Sequence, residues 1–246
     1  MPVKRPPAGR LVHRRHNGRF FLEIAAHPDY GLPYGQDRLV LIWVATLAIR
    51  QQSRIVRFNS AARMFEEFDL PLDGPHYRRM MEGFRRIFTS TIFFGAADGQ
   101  PDTIESARVH FFDSLDLWFS RVDPRAEQEN VVTLSDAFWC ELRQHPIPIQ
   151  RDAVRAFAAS PGCLDLYLWL RWRAFRLHNT HVVPLIGRQG LAEQLGFDEY
   201  GRERDLRRML DRWLSRIRLV WPECPCRLSG IGLALVPSRI PQRPVD

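Results

Sequence analysis

The chain has 246 residues, of which 45% are hydrophobic and 26% are charged, as expected for a globular protein of one large or two small domains. No apolar run reaches the roughly 18 residues that a membrane helix needs. The first residues also lack the apolar core of a secretory signal. We therefore expect a cytoplasmic protein that does not contact a membrane.

The residue types exclude several classes of enzyme. Lys4 is the only lysine among 35 basic residues, so a P-loop ATPase and Schiff-base chemistry are both excluded. No His-x-His pair of the kind that nicking enzymes use is present, and no carboxylates have metal-ligand spacing. Cys224 and Cys226 are too close together for the usual zinc pair, and disulfides are rare in the cytoplasm. We expect no catalytic residues, no metal and no cofactor.

The positive charge is concentrated near the N-terminus. The net charge is +7, and the stretch from Met1 to Arg19 contains no acidic residue. We expect residues 1–29 to form a basic, disordered arm, in which the candidate phosphate contacts are Arg5, Arg10, Arg14 and Arg15. A disordered tail that only improves solubility explains the same composition equally well.

The residues after the arm predict a helix, a strand, two helices and a hairpin. Pro75 is typical of the first turn of a helix. The predicted elements are a helix at Asp37–Gln51, a strand at Arg54–Phe58, helices at Ser60–Phe68 and Pro75–Phe88, and strands at Thr89–Gly95 and Ser106–Phe119. This is the order of a winged helix-turn-helix domain, in which the hairpin forms the wing.

The same order recurs later in the chain. The predicted elements are a helix from Cys163 to His178, a strand at Val182–Leu185, helices at Gln189–Leu195 and Gly201–Arg216, and a hairpin of Arg218–Cys226 with Ile231–Val236. Leu39, Trp43 and Arg78 align without a gap to Leu168, Trp172 and Arg207, which indicates an internal duplication.

The predicted fold class is therefore α+β and mainly helical, with two winged helix-turn-helix domains in tandem. Each domain is expected to contain three helices and a small β-hairpin wing. The predicted domains span residues 30–123 and 161–237, joined by a connector with a helix at 124–160, and residues 238–246 form a C-terminal tail.

The third helix of each predicted domain is the candidate DNA-reading element. A helical wheel places apolar residues on one side of each helix and arginines on the other. The candidate DNA-binding residues are Arg78, Arg79 and Arg86 in the first domain, Arg204, Arg207, Arg208 and Arg212 in the second, and Arg227 near the second wing. Arginine suits guanine edges and phosphates, although any amphipathic helix has a charged outer face.

The predicted strand at Ser106–Phe119 is long and aromatic. Such a strand is either part of the core or an interface between copies of the chain. In the second case, the first domain would form a homodimer.

The sequence resembles plasmid-encoded replication initiators of the RepA type. The resemblance lies in dispersed motifs between about residue 30 and residue 237, namely Gly31–Gly35, Arg38-Leu39, Trp43–Thr46, Ser53-Arg54, Phe68–Leu70, Gly83–Phe88, Leu134-Ser135, Phe138-Trp139, His145–Ile149 and Leu164–Leu170.

The resemblance implies a function that residue spacing does not. Such initiators bind repeated sites at a plasmid origin, help to open the duplex and recruit the host helicase and polymerase without an ATPase of their own. The partners it implies are double-stranded origin DNA and host replication proteins. Two alternatives remain open: a transcriptional repressor that only binds operator DNA, and a tandem winged-helix scaffold for protein partners.

Overall fold

The protein has a mixed α/β fold, seen in a computed structural model that describes residues 1–96, 105–117, 129–147, 149–197 and 202–237. These residues contain eight helices: α1 (Asp37–Gln51), α2 (Ala62–Glu67), α3 (Gly74–Phe88), α4 (Asp136–Gln144), α5 (Arg151–Phe157), α6 (Pro161–Arg176), α7 (Leu191–Leu195) and α8 (Glu203–Val220). The strands are β1 (Val12–Asn17), β2 (Phe20–Ala25), β3 (Ile55–Phe58), β4 (Thr91–Ala96), β5 (Glu105–Val109), β6 (Phe112–Asp116), β7 (Asn130–Leu134), β8 (His181–Val183), β9 (Cys226–Ser229) and β10 (Gly232–Leu235). No helix in the described ranges combines the length and the apolar character needed to cross a membrane.

The chain divides into two compact units. The N-terminal unit holds Met1–His13, Glu23–Phe93 and Ser106–Pro146. The C-terminal unit holds the described residues of Arg14–Leu22, of Phe94–Glu105 and of the chain from Ile147 onward. A four-stranded sheet has the order β1-β2-β4-β5, and two three-stranded sheets have the orders β3-β7-β6 and β8-β10-β9.

Helices α1 and α3 pack together in the N-terminal unit. The Asp73 side chain caps α3 by accepting a hydrogen bond from the backbone N–H of His76 at 2.8 Å, and Pro75 lies in the first turn. Trp43 of α1 and Phe84 of α3 are buried in the core. The packing of these helices leaves one side of α3 facing away from the core.

The sheet of the N-terminal unit differs from the predicted wing. Its central strand is β7, which pairs antiparallel with β3 in a register that places Val56 opposite Val132, and with β6 on its other edge. The sequence predicted a single strand at Ser106–Phe119, but the structure forms two strands there, β5 and β6, in different sheets. Residues 118 and 119 lie outside the described ranges, and the expected homodimer through this part stays a prediction.

The C-terminal unit contains α6, β8, α7, α8, β9 and β10 in chain order. Strand β10 pairs with both β8 and β9, so that Leu233 lies opposite Val183 on one side and Leu228 on the other. The prediction of a strand from Arg218 is wrong, because α8 continues to Val220 and β9 begins only at Cys226. The predicted tail at 238–246 lies outside the described residues.

The two units repeat one plan. The plan consists of a helix, a strand, two helices and two strands, in that order along the chain. Its first copy is α1, β3, α2, α3, β6 and β7, and its second copy is α6, β8, α7, α8, β9 and β10. In both sheets the last strand in the chain is the central one. The first copy of the plan differs because β4 and β5 lie between α3 and β6 in the chain.

The N-terminal residues do not form the disordered arm that the sequence predicted. Strands β1 and β2 are neighbours in one sheet and are connected by a turn at Gly18, whose φ of +65° suits glycine. Met1 and Pro2 are buried, and the guanidinium of Arg38 donates hydrogen bonds to their carbonyl oxygens at 3.0 and 3.1 Å. The segment is therefore part of the folded protein.

Candidate nucleic-acid interface

Helix α8 separates an apolar side from a basic side. Its buried residues recur at a spacing of three or four, as Leu206, Met209, Leu210, Leu214 and Ile217. This spacing corresponds to one face of a 3.6-residue helix. Its arginines therefore lie largely on the opposite side, as the sequence predicted.

Three of the predicted arginines form an exposed row. Arg204, Arg208 and Arg212 lie four residues apart on α8 and are all exposed. Eight residues of helix span about 12 Å, so the row covers slightly more than two turns. Within the described part of the chain, none of the three forms an ion pair with a carboxylate. This row, called the α8 arginine row below, is free to meet an anionic partner.

Arg207 faces the turn between β9 and β10. Its guanidinium donates hydrogen bonds to the carbonyl oxygens of Ser229, at 2.5 Å, and Gly230, at 3.0 Å, and pairs with Glu203 at 2.9 Å. These contacts tie α8 to the turn between β9 and β10. Arg207 is thus a positioning residue, in contrast to the direct DNA contact predicted from the sequence.

Replacing Arg207 with alanine should loosen the β9–β10 turn. We expect the free energy of unfolding of the C-terminal unit to fall by about 1 kcal/mol, the usual net contribution of such hydrogen bonds. Amide hydrogen exchange at Ser229–Gly232 should accelerate. The matched control is Arg208→Ala, one residue along, which should leave exchange in the turn unchanged; equal exchange in both variants would contradict the positioning role.

Arg227 is also exposed, in the C-terminal unit. It lies in β9 and pairs in register with Ala234 of β10. The strand ends two residues later, so Arg227 lies within β9 rather than at the tip of the hairpin. It remains a candidate for a backbone contact.

Helix α3 offers a weaker basic face than α8. Arg78 and Arg79 are exposed, and the Arg79 guanidinium lies 6.0 Å from the ring of Tyr34. Glu82 is exposed on the same helix, one turn after Arg78. Its negative charge reduces the attraction of this face for phosphate.

The prediction that Arg86 points outward is wrong. Its side chain is buried and makes a two-pronged ion pair with Asp37 of α1, at 2.8 and 2.9 Å. Burial alone lowers the pKa of Arg86, but the hydrogen bonds and the charge of Asp37 outweigh it, so the pKa lies above the usual value. Arg86 therefore joins α3 to α1 and cannot reach DNA.

The structure separates the four arginines of the predicted arm. Arg15 forms an ion pair with Asp165 of α6 at 3.0 Å, and Arg14 lies over the ring of Phe21 at 5.7 Å. Arg10 donates to the Val12 carbonyl oxygen at 3.2 Å and is exposed, as is Arg5. Arg15 is therefore held by an internal partner, whereas the other three remain accessible.

A second basic cluster, which was not predicted from the sequence, lies at the end of α6. There Trp172, Arg173 and Arg176 line a cleft together with Leu177 and His181. The available signal was the segment Arg171–Arg176, in which arginines alternate with Trp172 and Phe175. Sequence reasoning assigned these residues only to a helix of the second domain.

The chain is similar to known proteins in sequence and in fold. Residues 73–183, from the start of α3 to the end of β8, match the protein family described as plasmid-encoded RepA protein. No curated protein matches the chain. Solved structures also have a similar fold. A crystal structure of domains 2 and 3 of RctB has a TM-score of 0.60 and 15% identity, over 92% of this chain and 82% of that chain.

The second is a selenomethionine derivative of the same two RctB domains, with a TM-score of 0.63 and 15% identity, over 87% of this chain and 80% of that chain. At this low identity the likeness concerns the fold alone. The family match, in contrast, is a match of sequence. It confirms the resemblance that dispersed motifs indicated, over residues 73–183.

Proposed function

We propose that the chain initiates plasmid replication by binding origin DNA through the α8 arginine row. The observation that carries the proposal is that Arg204, Arg208 and Arg212 are exposed and, among the described residues, lack carboxylate partners. A row of unpaired guanidiniums on the exposed side of a helix suits the phosphates and guanine edges of a major groove. The RepA family match supports replication as the process.

We further propose that each unit is a winged helix-turn-helix domain. The order of helices and strands and the central position of the last strand support this reading in both units. Helix α8 then acts as the recognition helix, and β9 with β10 forms the wing. The contacts of Arg207 with the wing turn fix these two elements relative to each other, which lowers the entropy lost on binding.

The two units make different contributions in this proposal. The outer side of α3 carries the exposed Glu82, and Arg86 is buried instead of lying on that side. Helix α8 therefore supplies most of the affinity for DNA. Arg78 and Arg79 supply weaker contacts. The chain acts in the cytoplasm without catalysis of its own, helps to open the origin and recruits host replication proteins such as the helicase.

The test combines footprinting with salt-dependent affinity. Labelled duplexes that tile the DNA on both sides of the gene are used to find the protected sites. Replacing Arg204, Arg208 and Arg212 with alanine should abolish protection. It should also reduce the slope of log affinity against log salt by about 0.9 for each phosphate that is no longer neutralised.

The matched control removes the same charge elsewhere. Arg63, Arg108 and Arg143 are exposed arginines of the N-terminal unit outside α3. Their triple alanine variant should keep the footprint and the slope. The proposal fails if the α8 variant retains both, or if the two triple variants lose affinity equally, since the effect would then come from net charge alone.

A further inference from the structure

An open cleft lies at the C-terminal end of α6, within the C-terminal unit. It has a volume of about 170 Å³ and is lined by Trp172, Arg173, Arg176, Leu177 and His181. This volume is below the roughly 300–1,000 Å³ of sites for drug-sized ligands. Because the cleft is open, it suits the planar and anionic groups of a small ligand whose remaining atoms lie in solvent.

Arg173 brings a desolvated positive charge to the cleft. One of its terminal nitrogens donates to the side-chain oxygen of Gln194 at 2.9 Å, while its Nε is buried and has no hydrogen-bond partner in the described part of the chain. Burial lowers the pKa of Arg173, and no described carboxylate pairs with it. Arg173 is half-buried, and holding a cation there without a counter-ion costs free energy, a cost that a bound anion would reduce.

The cleft also contains an aromatic surface. The guanidiniums of Arg173 and Arg176 lie 5.2 and 5.1 Å from the ring of Trp172. Arg176 and His181 are exposed at the opening. The indole and the two guanidiniums beside it are planar groups of the kind on which a nucleobase can stack.

A fixed glutamine holds the lining in place. The side-chain oxygen of Gln194 on α7 accepts hydrogen bonds from Arg173 and from the indole N–H of Trp169, the latter at 3.2 Å. Its amide nitrogen donates to the Gln189 carbonyl oxygen at 2.7 Å. The orientation of Arg173 is thus set before any ligand arrives, as in a prepared site.

We propose that this cleft binds one nucleoside monophosphate unit, whose phosphate accepts hydrogen bonds from Arg173 and Arg176 while its base stacks against Trp172. The bound nucleotide is either a free nucleotide or one nucleotide of a single strand, since both present a base and a phosphate. The site is separate from the α8 arginine row. It does not depend on the binding of duplex DNA.

The test measures the binding of fluorescein-labelled single-stranded dT10 by anisotropy, with competition by dTMP, AMP or inorganic phosphate. The variant Trp172→Leu removes a stacking interaction, and Arg176→Ala removes a charged hydrogen-bond donor to the phosphate. Each should weaken dT10 binding by about 10- to 100-fold. The matched control is Arg188→Ala, an exposed arginine of the same unit, which should bind like the wild type. Duplex binding should be retained in the cleft variants and abolished in the α8 triple variant, so the two proposals fail separately.

The competitors distinguish binding of a free nucleotide from binding of a nucleotide within a single strand. Displacement of dT10 by dTMP or AMP at similar concentrations supports a free nucleotide, and binding of dT10 without such displacement supports a strand. The proposal is overturned if both cleft variants bind dT10 as the wild type does. It is also overturned if inorganic phosphate displaces dT10 at the same concentration as dTMP does. A third contradicting result concerns Arg176→Lys, which keeps the charge: this variant would melt at a lower temperature than the wild type and bind dT10 no better than Arg176→Ala does.

Discussion

Replacing Asp37 with alanine should lower the free energy of unfolding of the N-terminal unit by about 3–5 kcal/mol, the cost of leaving one partner of a buried ion pair alone. Asp37 and Arg86 are 3% and 6% exposed, so water cannot replace the missing carboxylate. Asp37 also accepts a hydrogen bond from the backbone N–H of Tyr34 at 2.8 Å. The destabilisation should be seen as faster amide hydrogen exchange in both α1 and α3.

Two further variants distinguish the loss of the Asp37–Arg86 ion pair from a non-specific loss of stability. Arg85→Ala removes an exposed charge one residue away and should change stability by less than about 0.5 kcal/mol. The double variant Asp37→Leu with Arg86→Met removes both charges and should recover much of the stability, because apolar replacements of buried pairs are often well tolerated. A single Asp37→Ala variant as stable as the wild type would refute the role given to the pair.

Replacing Gly232 with alanine should disrupt the sheet of the C-terminal unit. Gly232 has a φ of +153°, and an added Cβ would overlap the carbonyl oxygen of Val183 and lie 2.9 Å from its carbonyl carbon. Both obstacles are backbone atoms of β8, which cannot rotate away. We expect the free energy of unfolding to fall by about 3 kcal/mol, at the upper end of the range for overpacked sites, and duplex binding to weaken because the wing turn shifts.

The same turn provides the control. Gly230 lies two residues earlier, and a Cβ added there meets no atom within 4 Å. Gly230→Ala should therefore keep the stability, measured by thermal unfolding, and the DNA affinity of the wild type. If both alanine variants behaved alike, the close approach of β10 to β8 would not be the cause.

Helices were the most predictable part of the fold. The predicted bounds of α1 match the structure at both ends, and those of α3 differ by one residue at the start. The apolar residues that indicate each helix lie within that helix itself, so the local sequence is enough to predict it. The same holds for α8, except that its last turn, Arg218–Val220, was predicted as the start of a strand.

Sheet pairing could not be predicted from local sequence. Strand β7 pairs with β3, more than seventy positions earlier, and its five residues looked like a connector. Nothing in the stretch from Asn130 to Leu134 indicates its partner. The N-terminal hairpin had a local signal, Asn17-Gly18, which is typical of tight turns; the concentration of arginines led us to expect disorder instead.

The candidate site was predictable in outline but not in detail. The wheel correctly separated Arg204 and Arg208 from the apolar side of α8. It could not distinguish them from Arg86, because a wheel describes one helix and the carboxylate that neutralises Arg86 comes from α1. Likewise, the acceptors of Arg207 belong to a turn more than twenty residues away.

The central position of the last strand in both sheets has a consequence for synthesis on the ribosome. Strands β3 and β6 have no hydrogen bonds to each other and are joined only through β7. The nascent N-terminal unit therefore cannot assemble its three-stranded sheet until β7 has left the exit tunnel, and the same delay applies to β8 and β9 before β10 emerges. Each half must stay incomplete, with exposed strand edges, for most of the time it takes to translate, which makes early chaperone contact valuable.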